Sequence, residues 1–192
     1  MEGMWYLSSL MRRFLLALAL PVFLAGTVSC GGPDAKAPDR PRPPYEGRSV
    51  EVFDDTIEPR AVGLNLDDAR TPRTDPVLRE RTQLAEGTAR VSVVTVTGRG
   101  DGIDIEYVIT VKVLDKLGGE LPDEMAIYVG KQSPSLGIVK SFDARLGGKT
   151  FVAFLKEFRG PDGEPRWHFH FAPDTKDVVE AVKEAYELAN FK

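Results

Sequence analysis

The sequence predicts a mainly β, α+β domain: a small antiparallel barrel or curved sheet of about five strands, with a short N-terminal helix and a C-terminal amphipathic helix. Three observations carry this. Ile103, Ile105, Tyr107, Ile109, Val111 and Val113 occupy every odd position of one stretch, and apolar residues at period two mark a strand with one face in a core. Turn-forming clusters at 98–102, 118–119, 146–149 and 160–165 divide 89–171 into short strand-length pieces. At the end, Val178, Val182, Ala185 and Ala189 recur at spacings of four, three and four, the stripe of a surface helix.

Composition sets limits on function. Of 192 residues, 42% are hydrophobic, and 25 Lys+Arg stand against 29 Asp+Glu. That balance suits a globular domain, and a net charge of −4 argues against a general nucleic-acid binder, which needs a basic surface. The single cysteine, Cys30, excludes an internal disulfide framework and a thiolate-based zinc site.

In chain order, residues 1–29 read as a signal peptide. Arg12 and Arg13 give a basic start, and Phe14 to Leu20 an apolar run. Small residues Ala25, Gly26, Thr27 and Ser29 lead to Cys30. The uncharged stretch from Phe14 to Ser29 has 16 residues, short of the roughly 20 that span a bilayer. Residues 30–48, with prolines at 33, 38, 41, 43 and 44, read as a disordered spacer, because so little apolar surface cannot offset ordering entropy.

A single β-rich domain is expected over 49–192. Residues 49–75 read as an extended arm in which Val62, Leu64 and Leu66 alternate. Asp75-Pro76 starts a short helix over 76–86, with Asp as N-cap and Pro in the first helical position. Strands follow over 89–171. Ala89, Val91 and Val93 share one parity while Val94 and Val96 switch to the other, which implies a bulge. Met125–Val129 and Thr150–Phe158 are strands, and Leu136–Phe142 reads as a further short one. Trp167-His168-Phe169-His170-Phe171 closes the set, with three aromatics on one face and both histidines on the other. A helix over 174–190 ends the chain, capped by Asp174.

Two resemblances add to this reading. Leu24-Ala25-Gly26-Thr27-Val28-Ser29-Cys30 resembles the lipobox of bacterial lipoproteins, with Thr27 where Leu is commonest. The resemblance implies cleavage before Cys30, a diacylglyceryl group on its sulfur, and anchorage in the cell envelope. Gly31 rather than Asp after the cysteine favours the outer membrane over the inner, with the domain facing the periplasm or the surface. The run Thr88–Asp115, a glycine pair, and Gly147-Gly148-Lys149-Thr150-Phe151-Val152-Ala153-Phe154-Leu155 is similar to the OB-like barrel of netrin-type and metalloprotease-inhibitor-type modules. The cysteines that staple those modules are missing here.

Motifs for chemistry are few. His168 and His170 are the weak metal candidates, since residues i and i+2 of a strand point to one side. Zinc would need a further ligand, with Asp162, Glu164 or Asp174 nearest in sequence. The alternative places both imidazoles on a solvated strand face. Arg99-Gly100-Asp101 is turn chemistry. No phosphate-binding loop, no Gly-x-Ser-x-Gly elbow and no paired carboxylates for glycoside cleavage stand out. The expectation is therefore a non-enzymatic, membrane-anchored lipoprotein that needs no cofactor. Its partner would be an envelope protein, a glycan or a small ligand, and not nucleic acid. A metal-binding protein or metal-dependent enzyme using His168 and His170 is the alternative.

Overall fold

The computed structural model describes residues 41–64, 71–100 and 105–190. The expected signal peptide, Cys30 and the first part of the spacer, along with Leu66 and Asp101–Asp104, lie outside them. Six strands form one curved, half-barrel sheet in the order β1-β6-β5-β2-β3-β4. They are β1 (Thr56–Ile57), β2 (Gly87–Arg99), β3 (Glu106–Gly119), β4 (Glu124–Val129), β5 (Thr150–Arg159) and β6 (Pro165–Pro173). Strands β2 to β6 are the five expected antiparallel ones, and the two-residue β1 joins β6 in parallel. The whole broadly resembles an OB-like barrel left open between β4 and the β1–β6 edge.

The curvature has a local cause. Along the β2–β3 ladder the register slips three times, between Thr88 and Ala89, Arg90 and Val91, and Val93 and Thr95. Each slip adds one unpaired residue, and each such bulge bends and twists the ribbon. The last one, at Val94, is the parity switch seen in the sequence. Val93 pairs with Val111 and Val96 with Ile109, so both face the core while Val94 is half exposed. The same bend brings β4 toward β6, although no ladder joins them.

Both faces of the sheet are covered. One carries Ile109, Val111, Ile127, Phe151, Leu155, Phe169 and Phe171, closed by α3 (Leu136–Leu146) through Val139 and Leu146. The other carries Val152, Phe154 and Phe158 under Val52 and Phe53, Leu78 of α2 (Pro76–Leu84), and Val178 and Val182 of α4 (Lys176–Asn190). Helix α4 lies close on β3: a Cβ at Gly118 would come within 2.2 Å of the Tyr186 ring.

Several elements differ from expectation. Leu136–Phe142 is not a strand but the start of α3. Its buried Val139 and Leu146 are seven apart, two turns of one helical face. The arm at 49–75 is not extended throughout. Helix α1 (Arg48–Val52) turns Val52 and Phe53 into the core, and a 3-10 turn at Pro59–Val62 ends on Gly63 at φ 90°. Val62 is thus buried by a turn rather than by strand alternation. Asp75 does cap α2, its side chain accepting the Val77 N–H at 2.9 Å. Asp174 does not cap α4. It binds Arg90 at 2.8 and 2.9 Å, and Thr175 Oγ1 accepts the Val178 N–H instead. The last residues of the expected spacer lie on the fold, with Pro43 O accepting the Arg159 N–H and Tyr45 packed on Phe158.

Candidate functional site

Strand alternation sends Trp167, Phe169 and Phe171 to one core and His168 and His170 to the other side, as the sequence implies. The histidines, however, are not solvated. Their side chains are 16% and 7% exposed. What covers them is Asp54-Asp55 and Glu58, which follow α1 and flank β1.

His170 is held from both ends. Its Nδ1 lies 2.8 Å from Asp54 Oδ1 and its Nε2 2.9 Å from Glu58 Oε1. Each ring nitrogen of His170 thus has a carboxylate of its own. Burial alone would push the Asp54 carboxyl up. The hydrogen bond and charge of His170 outweigh it, with help from Thr56 and Arg81, and hold Asp54 below the ordinary aspartate value. Arg81 is itself buried beneath this cluster, donating to Val52 O at 2.6 Å, with its guanidinium 5.7 Å from the Phe154 ring.

His168 is held from one end only. Nδ1 lies 2.9 Å from Asp55 Oδ2, and the ring stacks on Tyr45 with centroids 3.4 Å apart. The Tyr45 hydroxyl donates to Phe53 O, and burial with the nearby Asp55 and Asp54 charges raises its ionisation well above the ordinary tyrosine range. Asp55 has a left-handed backbone, φ 53°, uncommon for a residue with a Cβ and a frequent companion of functional sites. Every polar group of Asp55 is engaged. Its N–H donates to Phe169 O, Oδ1 accepts the Phe169 N–H, and its carbonyl accepts from Ser133 and Ser135 Oγ at 2.8 and 2.6 Å. Buried Ser135 also accepts the Ile57 N–H at 2.6 Å. This knot fixes Asp55, and Asp55 fixes the His168 ring through Nδ1, so Nε2 is the ring nitrogen turned away from that carboxylate.

His168 borders a groove of about 1010 Å³. The groove lies between the end of β4 and its following turn, the β5–β6 hairpin, and the segment from Pro44 to Asp55. Its aromatic walls are Tyr45, Tyr107, Tyr128 and Trp167. Tyr128 is 50% exposed and Trp167 half-buried, while the Arg99 guanidinium sits 5.9 Å from the Tyr128 ring. On its outer edge β6 meets β1 only at His170 and Phe171, so the Trp167 region of that edge faces the groove.

The two histidines therefore have different partners, Asp55 at His168 and Asp54 with Glu58 at His170. Among the described residues no group of three or more His, Cys, Asp or Glu is placed to hold a metal. The acids expected to complete a metal set are elsewhere: Asp162 pairs with Arg166 at 2.6 Å, Asp174 with Arg90, and Glu164 is exposed on the hairpin. The partners that matter, Asp54, Asp55 and Glu58, lie more than 100 residues away in sequence. The one available signal was the acidic pair directly after the apolar Val52-Phe53, which must follow those side chains toward the core. Cys30 lies outside the described residues. No protein-family model matches the chain, and no curated protein matches it in sequence.

Proposed function

We propose that the chain is a membrane-anchored lipoprotein of the cell envelope, and that its folded part is a non-enzymatic binding module with its ligand seat in the groove beside His168. The observation that carries the binding role is the groove itself. Its size is that of a ligand site, at the upper end of the roughly 300–1,000 Å³ usual for small molecules. Its walls combine aromatic faces with a few fixed polar groups, the ordinary make-up of such sites. The anchor rests on the lipobox resemblance ending at Cys30. Two or more acyl chains make attachment to a bilayer stable, whereas one is marginal. The spacer before Arg42 would hold the domain off the outer or inner membrane, facing the periplasm or the surface.

Mass spectrometry of the protein extracted from its native membranes tests the anchor. The expected result is an N-terminal peptide that begins at Cys30 and carries the mass of a diacylglyceryl group. An intact leader with an unmodified Cys30 thiol contradicts it.

A further inference from the structure

The charge and shape of the groove select among ligand classes. Lys131, Arg159 and Arg166 line it on the basic side, and Asp54, Asp55 and Glu106 on the acidic side. Three of each sign leave no net field to attract a polyanion or a polycation. Two of the three acids are already committed, Asp54 to His170 and Asp55 to His168. Recognition falls instead to flat aromatic faces and hydrogen bonds. Tyr and Trp offer broad apolar faces with polar edges. Glu106 and His168 Nε2 can accept, while Gln132 and the Arg159 side chain can donate.

Alternating apolar C–H faces and hydroxyl edges describe the surface of a sugar ring. A hydroxyl is both donor and acceptor, so it suits His168 Nε2 and a guanidinium alike. A volume of about 1010 Å³ exceeds what one ring needs. From this juxtaposition we infer that the groove binds a neutral oligosaccharide, stacked on Tyr128 and Trp167 with one hydroxyl donating to Nε2 of His168. The inference rests on the groove being the binding site proposed above. Asp55 is a positioning residue in it: it holds the imidazole by Nδ1, so that Nε2 is the nitrogen left for the ligand.

The chain holds two tryptophans, Trp5 and Trp167; the cleavage proposed before Cys30 removes Trp5, and a Trp5→Phe background keeps Trp167 the sole indole reporter in any chain left uncleaved. The full chain in detergent micelles is titrated with maltotriose, cellotriose and triacetylchitotriose, and separately with polyphosphate and an uncharged ten-residue peptide. The expected result is a saturable shift of Trp167 emission with at least one trisaccharide, none with polyphosphate or peptide, and at least tenfold weaker binding in Tyr128→Ala. His168→Phe, which keeps a ring for Tyr45 to stack on, weakens it similarly. Tyr128 is exposed, so its variant reports binding even if His168→Phe misfolds. No response to any trisaccharide overturns the inference, as does a response that Tyr128→Ala leaves unchanged. A shift produced by the peptide or polyphosphate and lost in Tyr128→Ala overturns the saccharide class while the groove remains the binding site. The anchor reading is untouched by any of these, because Cys30 is tested by mass.

Discussion

His168 and His170 stand two residues apart on one face of β6, yet the chain treats them in opposite ways. His170 lies at the β1 end, with a carboxylate on each ring nitrogen and a side chain 7% exposed. His168 lies where β1 has not begun, with one ring nitrogen on Asp55 and its side chain at the border of the groove. The difference comes from the edge strand. Two residues of β1 bring Thr56 against His170 and Glu58 beside it, and they leave His168 to Asp55 and Tyr45 rather than to the ladder. A strand two residues longer would close both sites alike. The comparison teaches that the same residue type in the same strand becomes a tie or a ligand group according to where its neighbour ends.

The largest effect that would break this comparison is on stability. Replacing His170 with Ala leaves Asp54 and Glu58 facing each other without the ring that bonds to both. Removing one partner of a buried pair costs about 3–5 kcal/mol. Because both carboxylates retain one-third exposure, the lower end, about 3 kcal/mol, is expected by urea unfolding. His168→Ala should cost about 1 kcal/mol, the ordinary worth of a hydrogen bond, since Asp55 keeps the Phe169 N–H. Equal losses would remove the distinction between the two sites.

A smaller effect concerns acid. The folded Asp54 carboxyl titrates below its ordinary value, so the unfolded chain takes up its proton first. The stability it contributes is therefore present above the unfolded carboxylate range and is lost as pH falls through the folded value. The groups facing this cluster are His170, Glu58 and Arg81. Unfolding midpoints measured below about pH 4 should fall with acidification in the wild type and fall less in His170→Ala, which has already lost the interaction. A parallel decline in both proteins would place the acid sensitivity elsewhere, with Asp174 the next group to examine, since its hydrogen bond with Arg90 also lowers its carboxyl.

Much of the fold was legible in the sequence. Strand parity located the β2 bulge at Val94, because a switch of faces within one strand has no other simple cause. The hairpin loop at 160–165, the Asp75 cap and the stripe of α4 follow from local chemistry alone. The helix α3 was misread because Leu136 to Phe142 is too short to separate period two from period 3.6. The arm was misread because its residues are buried by turns whose burial depends on the far strand β6. The acid partners of the histidines are hidden for the same reason on a larger scale. His168 and His170 are visible as a pair, but the acids near them in sequence, Asp162 and Asp174, serve arginines. Asp54, Asp55 and Glu58 reach the histidines only through the parallel pairing of β1 with β6, and a two-residue strand leaves no periodic trace.

The central claim is that one histidine is closed between two acids while the other, held by a single acid, borders the ligand groove. Long-range nitrogen–proton correlation spectra of the imidazole rings test it most directly, and with only two histidines in the chain the signals assign by a single His168→Phe variant. The account predicts that a bound trisaccharide moves the ring nitrogen signals of His168 and leaves both ring nitrogens of His170 in place. A saccharide that shifts His170 and leaves His168 in place would contradict it.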